Sequence, residues 1–344
     1  MKYETTDMTV TNRPKNERAE IRIAGKTFYV PSTEICGRTI VVTGGWLRQA
    51  TIKDEDVVEG EIVANPSAFI DELRDSPLQA DIFCFSQKIP DITPRYGYPH
   101  EWDNWAVVPL SSYDDWWEKL SQESRRNVRR AAKRGVVVKV TEFDDEFVKG
   151  IQGIYNETPI RQGRRFWHFE KAFEAVKMEN ATYLDRSDFL GAYFEGELIG
   201  FIKLIYLDNI ASLIQIISKI EHQDKRPTNA LIAKAVEVCH QKGVKFLVYT
   251  KFVYDGNQSS PLTEFKRRNG FEEIRYPRYF VPLTAKGALA VKLGIHRGLR
   301  RLIPAPILMS LKSLRSRIYQ SRYPAREVAT KTVKETSDSL SPTA

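Results

Sequence analysis

The sequence predicts an α+β fold in which a mixed central sheet is flanked by helices. Three strand-like runs follow one another at residues 189–194, 198–206 and 211–218, the first two joined by the turn Glu195-Gly196-Glu197. A helical run at 227–242, stopped by Gly243, then leads to a strand at 245–250, a short helix at 261–268 and closing strands at 271–274 and 279–283. Strands joined by tight turns pair antiparallel, whereas a strand reached through a helix lies parallel to the one before it. With 42% hydrophobic and 28% charged residues over 344 positions, the chain has ordinary globular composition and supports a packed core.

The earlier part of the chain reads in the same terms. Ile21-Arg22-Ile23 and Thr27-Phe28-Tyr29-Val30 flank a glycine turn and form a hairpin, and residues 39–43 before Gly44-Gly45 form another strand. A short helix follows Asn65-Pro66-Ser67, leading to a strand at 81–85. Residues 90–104, rich in Pro, Gly and aromatic side chains, read as a long loop before a strand at 105–110. One helix is expected over 112–134, with Trp116 and Leu120 on its apolar side, a basic run in its last turns and Gly135 as its stop. A strand at 136–140 and helices at 144–156 and 169–178 complete the order.

These shifts in character divide the chain into a polar start at 1–18, an α/β half at 19–111, a basic linking helix at 112–135, a second domain at 136–285, basic amphipathic helices at 286–323 and a Thr/Ser-rich tail at 324–344. Cys36, Cys84 and Cys239 lie far apart among apolar neighbours, as reduced, buried thiols do. The start lacks the apolar core of a signal peptide, and no apolar stretch reaches the ~18 residues of a membrane span. A cytoplasmic protein is expected, peripheral at the inner face of the membrane if its basic end docks there. The net charge of +8 favours an anionic partner. Residues 286–323 hold nine Lys and Arg and no acidic residue, and Ile307, Leu311, Leu314 and Ile318 recur there at helical spacing, as on a helix lying on anionic lipid or docked on the protein itself. No P-loop, dinucleotide fingerprint or nucleophile elbow is present, His100, His168, His222, His240 and His296 show no metal-ligand spacing, and no DNA partner is expected.

The order strand–turn–strand–strand–helix–strand–helix–strand over about 136–283 resembles the GNAT acyltransferase fold. Two motifs narrow the resemblance to the Fem-like branch, whose members modify cell-envelope precursors and polysaccharides. Residues 121–136, SQESRRNVRRAAKRGV, fit the family's basic helix R-x-x-[IV]-R-x-A-x-x-x-G-[VI], and residues 265–271, FKRRNGF, fit its F-K-x-x-x-G-[FA] element. The region 20–110 would then be a reduced N-terminal acyltransferase-like half.

The resemblance implies an N-acyltransferase with acyl-CoA or aminoacyl-tRNA as donor and an amino group of a sugar, nucleotide-sugar or envelope precursor as acceptor. Acyl transfer to an amine needs a polarised carbonyl, a deprotonated amine and both held close. In this fold the carbonyl meets a backbone N–H in a gap between two splayed strands, here 213–218 and 246–249. Gln215 interrupts the first with a polar side chain, either into the site or into solvent. Lys266, in the second motif, is the residue that the family links with neutralising charge on the transferring carbonyl; otherwise it belongs to a solvated basic helix with Arg267 and Arg268. Tyr254 follows the second strand, where an acid for the leaving group belongs.

Donor phosphates would meet the helix opening at Pro227, with Lys225, Arg226, Thr228 and Asn229 around its N-terminus. Both glycines of the acetyltransferase loop Q/R-x-x-G-x-G/A are missing there, which counts against acetyl-CoA but not against acyl transfer. Acceptor recognition is expected from the loop at 155–168, where Arg161, Arg164, Arg165, Trp167 and His168 suit a phosphorylated or sugar substrate. A non-catalytic adaptor that binds anionic membrane or RNA through its basic surface is the reading of another class.

Overall fold

In the computed structural model, which describes residues 17–23, 26–55, 65–254 and 257–297, twelve strands form one mixed sheet. The chain opens with β1 (Glu17–Ile23), β2 (Lys26–Ile35), β3 (Arg38–Thr43) and β4 (Gln49–Ile52), an antiparallel meander. Helix α1 (Pro66–Asp75), capped by the Asn65 side chain, then carries the chain back to β5 (Ile82–Ser86), which lies parallel to β4. The second part repeats this plan. β10 (Ser187–Phe194), β11 (Glu197–Leu207) and β12 (Ile210–Ser218) form a meander, helix α6 (Pro227–Gln241) follows, and β13 (Phe246–Val248) lies parallel to β12. The N-terminal part is thus a reduced acyltransferase-like half.

The two halves exchange their last strands. β6 (His100–Pro109) pairs with β13, and β14 (Glu272–Pro282) lies between β5 and β6 and pairs with both. With β7 (Val137–Thr141) at the far edge beside β10, the order is β1-β2-β3-β4-β5-β14-β6-β13-β12-β11-β10-β7. The sheet therefore runs unbroken through both halves.

Helices cover both faces of the second half. On one face α6 buries Leu231, Ile232, Ala235, Val236 and Cys239 against Ile202, Leu204 and Leu213. Each aliphatic side chain so withdrawn from water contributes about 1.5–3 kcal/mol. On the other face α4 (Asp145–Tyr155) and α5 (Phe173–Asn180) enclose Phe147, Ile151, Tyr155, Val176, Phe189 and Phe201. The minor hairpin β8 (Ile160–Arg161) and β9 (Arg164–Arg165) joins α4 to α5.

Three expectations change. The helix at 112–134 is two helices, α2 (Tyr113–Lys119) and α3 (Gln122–Lys133), because Leu120 and Ser121 are extended and the Ser121 hydroxyl caps a new helix by accepting from Ser124 N–H. The loop after Pro90 is shorter than read, since β6 already begins at His100. The two closing strands are one, despite Pro277. Its carbonyl accepts from Gln87 N–H just past the end of β5. Carbonyl and nitrogen of one residue point to the same side of an antiparallel ladder, so the missing N–H faces Gln87 rather than β6: the β6 ladder stays intact, and only the return bond to Gln87, past the end of β5, is forgone.

Helix α7 (Pro261–Arg268) precedes β14, and helix α8 (Ala285–Lys292) follows it, seated on the start of β5. Gly287 makes that seat, since a Cβ there would stand 1.9 Å from Asp81 O. Gly287→Ala is expected to cost about 1–3 kcal/mol or more through overpacking, read as a lower urea midpoint. The residues proposed for the amphipathic face, Ile307, Leu311, Leu314 and Ile318, lie outside the described residues.

Candidate active site

The pairing of β12 with β13 ends early. Ile210, Ala211 and Ser212 face Phe246, Leu247 and Val248, and beyond them the strands part. β13 continues toward β6 instead: Tyr249 N–H donates to Ala106 O at 2.8 Å, and Ala106 N–H donates to Thr250 O at 2.8 Å. β12 is bent at the same place. Lys203 pairs with Gln215 but Leu204 with Leu213, so Ile214 is an extra residue, a β-bulge that raises the local twist. Together these open a V-shaped notch whose β12 edge, from residue 213 on, makes no ladder bond to β13.

Gln215 stands on the β12 wall of this notch. Its Nε2 donates to the Tyr155 hydroxyl at 2.5 Å, so its side chain is anchored inward rather than turned to solvent. Tyr155 is fully buried, and burial raises its pKa far above the usual tyrosine range. Asn180 Nδ2 reaches the same hydroxyl at 3.5 Å, and the carbonyl of Asn180 accepts from the buried Lys203 ammonium at 2.7 Å. Burial lowers the Lys203 pKa to about 8.

Lys266 lies on the far wall. α7 begins at Pro261 with Ser260 as its cap, which points Lys266 inward while Arg267 and Arg268 turn out and pair with Glu264. The Lys266 side chain has no exposed surface. Its ammonium donates to Lys251 O, lies 3.5 Å from Thr250 Oγ1, and stands 4.4 Å and 5.0 Å from the ring centres of Tyr249 and Tyr254. Among the described residues no carboxylate lies within ion-pair reach, and burial lowers its pKa to about 8. The ammonium is held by a backbone carbonyl and by the ring electrons of two tyrosines. The solvated-helix reading thus fits Arg267 and Arg268 but not Lys266.

Thr250, where β13 continues along β6, has φ +45°, which a β-branched residue adopts only under strain. Its hydroxyl shares a 2.8 Å hydrogen bond with the Tyr254 hydroxyl, and Tyr254 is 41% exposed, so this phenol joins the buried Lys266 to the surface.

The donor residues divide. Thr228 Oγ1 lies 2.8 Å from Ser218 Oγ at the end of β12, and Asn229 Nδ2 donates to Asn269 Oδ1 at 3.0 Å at the end of α7. These two bring the N-terminus of α6 to the notch, and its dipole favours an anion there. Lys225 turns instead to His222 Nδ1 at 3.1 Å and to the Phe194 ring at 4.6 Å. Arg226, in the left-handed region at φ +60°, is exposed, and neighbouring Asp224 is ion-paired to Arg134 at the end of α3.

The acceptor residues divide too. The Arg161 guanidinium is engaged internally, donating to Ser218 O at 2.9 Å, Ile154 O at 3.2 Å and Glu157 Oε2 at 2.8 Å. Glu157 in turn accepts from the N–H groups of Ile220 and Glu221, so the pair clamps the β8–β9 hairpin to the end of β12. Arg164, Arg165 and Trp167 are exposed on and after that hairpin. His168 stacks on Tyr155 at 4.3 Å, with Nδ1 3.6 Å from Glu179 Oε2. Burial lowers its pKa. Burial works against Glu179 as well, but His168 and Lys171 outweigh it and hold Glu179 down to about 2.

The fold also gathers Glu197 with the adjacent Glu221 and His222 within metal-ligand distance of one another. The Lys219 ammonium already bridges both carboxylates, which makes this an exposed ion-pair cluster. The sequence alone did not single out Tyr155, Lys203 or Thr250. Tyr155 lies on the apolar stripe of α4 and reads as core, and a left-handed threonine leaves no sequence signal.

No protein-family model matches the chain. Over 124 residues, 35% of this chain and 71% of the other, it is 32% identical to a spermidine N(1)-acetyltransferase of Thermoplasma acidophilum. The chain belongs to the GNAT superfamily of N-acyltransferases. FemX, a solved structure, superposes on 81% of this chain and 90% of its own with a TM-score of 0.52 at 12% identity, a likeness of fold. The PaiA N-acetyltransferase of T. acidophilum, solved in complex with coenzyme A, superposes on 42% of this chain and 98% of its own with a TM-score of 0.30 at 20% identity. Among the described residues no helix is long and apolar enough to cross a membrane.

Proposed function

We propose that this GNAT protein is a working N-acyltransferase that passes an acyl group from acyl-CoA or aminoacyl-tRNA to an amino group of a sugar, nucleotide-sugar or cell-envelope precursor. The observation that carries the reading is the notch itself, with a bulged strand on one wall and, on the other, the buried ammonium of Lys266, which has no carboxylate partner among the described residues. The donor carbonyl enters the notch against the backbone N–H groups of β12. The acceptor nitrogen attacks the carbonyl carbon, and the bond to the donor sulfur or ester oxygen breaks as the tetrahedral intermediate collapses. Lys266 balances the developing negative charge, and Gln215, fixed by Tyr155, orients the reacting groups. The amine gives up its proton to solvent water, and the Tyr254 phenol, open to solvent and bonded to Thr250, supplies one to the leaving group and is reprotonated from solvent.

Donor phosphates belong at the N-terminus of α6, near Thr228, Asn229 and Arg226. The missing glycines of that loop favour a donor other than acetyl-CoA. Arg164, Arg165 and Trp167 suit a phosphorylated sugar acceptor, by bidentate pairing and ring stacking. The basic segment 286–323 suits peripheral contact with the inner face of an anionic membrane. The other reading, a non-catalytic adaptor for membrane or RNA, leaves the buried charge of Lys266 without a purpose.

A thermal-shift screen against acetyl-CoA, longer acyl-CoAs, charged tRNA and UDP-amino sugars tests the proposal. A ligand at one hundred times its Kd stabilises the folded chain by about 2.7 kcal/mol. Stabilisation by a CoA ester makes CoA the donor carrier. A response to charged tRNA with none to CoA makes the enzyme an aminoacyl transferase. Silence from every donor sinks the catalytic reading and leaves the adaptor.

A further inference from the structure

One end of the molecule carries an apolar surface that acyl transfer does not use. Leu289 and Leu293, on the outer side of α8, are 56% and 59% exposed, and Trp46, in the turn before β4, is 67% exposed. Lys286 ties the two elements together. Its ammonium donates to Trp46 O at 2.7 Å, pairs with Asp81 at 2.9 Å and lies 5.7 Å from the Trp46 ring centre. Beside them opens a cleft of about 400 Å³ whose lining includes the side chains of Arg48, Arg74 and Thr284. The one acidic residue of that lining, Asp81, is already bound by Arg48 N–H, the Thr284 hydroxyl and Lys286.

We propose that this end, Trp46 with Leu289 and Leu293 around the Arg48–Arg74 cleft, docks on an anionic phospholipid bilayer, with a lipid phosphate entering the cleft. This deepens the membrane contact proposed above and rests on it, but moves it from the sequence beyond 297 onto a surface that both halves build. The chemistry selects the partner. Tryptophan and leucine withdrawn from water gain from an acyl-chain boundary, whereas a nucleic acid offers them no apolar partner. The chain's own continuation and a second copy are the other occupants. The continuation, residues 298–323, holds six basic residues and no acidic one, so folding it over Lys286 and Lys292 would set like charges together. An anionic sheet of lipid satisfies both. The geometry agrees: β13 and β14 both run antiparallel to β6 and β12 runs parallel to β13, so the notch opens toward the same end of the strands as that at which β14 delivers α8.

The test is co-sedimentation of the full chain with phosphatidylcholine vesicles, with and without phosphatidylglycerol. The full chain is expected to bind the anionic vesicles only, less as salt rises. Leu289→Glu/Leu293→Glu is expected to weaken that binding by about tenfold or more, and Arg48→Gln/Arg74→Gln to weaken it several-fold. Leu289 and Leu293 lie at the surface, so the leucine variant should keep the thermal stability and elution volume of the wild type; Arg48 is half-buried and donates to Gln79 Oε1 at 2.6 Å, so the arginine variant is assayed well below its own melting temperature. Wild-type pelleting by the leucine variant overturns this docking surface while leaving membrane contact through other residues. No binding by the wild type overturns both. A lower melting temperature in the leucine variant would show the face covered by the chain itself, and a wild-type dimer that the variant loses would show it covered by a second copy; either outcome overturns the proposal. Donor binding in the thermal-shift screen is independent of all four results.

Discussion

Lys266→Met is expected to lower kcat by about 10²–10³ while leaving KM for the donor nearly unchanged, because a preorganised charge acts on the transition state rather than on the bound substrate. Methionine keeps most of the apolar stem beside the Tyr249 and Tyr254 rings, so the fold should survive the exchange. Steady-state kinetics with whichever donor stabilises the protein provide the check. The pH dependence has a sign of its own. Lys266 titrates near 8 in the folded chain, against roughly 10.4 when unfolded. Activity that needs its positive charge therefore falls as pH rises through about 8. Stability moves the other way. Between about 8 and 10.4 the unfolded chain holds more protons at this position than the folded one, so this lysine's contribution to stability grows as pH rises through that window. An enzyme losing turnover while its urea midpoint holds or climbs separates charge loss from unfolding, and the Lys266→Met variant should lose that pH response.

Arg278→Leu should be the most destabilising exchange outside the apolar core, at about 3–5 kcal/mol. Arg278 stands on β14, the strand shared by both halves, and reaches Asp103 on β6 at 3.1 Å and Glu55, just past β4, at 3.4 Å. Both carboxylates are nearly out of solvent, with side chains 12% and 5% exposed. Burial pushes the Asp103 carboxyl up, but Lys251 and Arg278 outweigh it and hold it below the usual carboxylate range. Removing the guanidinium leaves two buried anions without their shared partner. Lys251→Gln gives the contrast: its ammonium is 45% exposed, and an exposed ion pair contributes roughly 0–1 kcal/mol. Urea denaturation of the three proteins measures both. Equal losses for the two variants would show that Arg278 holds the halves together no more than a surface lysine does.

Much of this architecture was legible before any coordinates. Short-turn strands at 189–218, a helix opening at Pro227 and closing at Gly243, and the two motifs around Arg125 and Phe265 place the second half almost residue by residue, because each boundary has a local cause such as a cap, a turn glycine or an apolar period. The exchange of β6 and β14 was not legible. Which strand lies beside which is decided by contacts between positions more than a hundred residues apart, and local pattern carries none of that. Pro277 misled for a related reason: its nitrogen faces away from β6, so the β14–β6 ladder passes through it and only one bond, at the end of β5, is lost.

The site divides along the same line. Lys266 and Gln215 were readable as residue types in a motif and a strand. Whether each was buried was not, since Lys266, Arg267 and Arg268 look alike in sequence and only the helix face separates them. Arg161 shows the converse. Its arginine-rich loop suggested substrate, yet the guanidinium is taken up by Ser218, Ile154 and Glu157.

The central claim, a donor carbonyl held in the notch between β12 and β13, is tested most directly by hydrogen exchange with and without saturating acyl-CoA, and with and without charged tRNA. Peptides covering 213–218 and 227–230 are expected to exchange more slowly with one of the two donors, as their backbone N–H groups take up carbonyl and phosphate oxygens. A donor that raises the melting temperature while protecting only peptides of the N-terminal half, or none in the notch, would contradict the account.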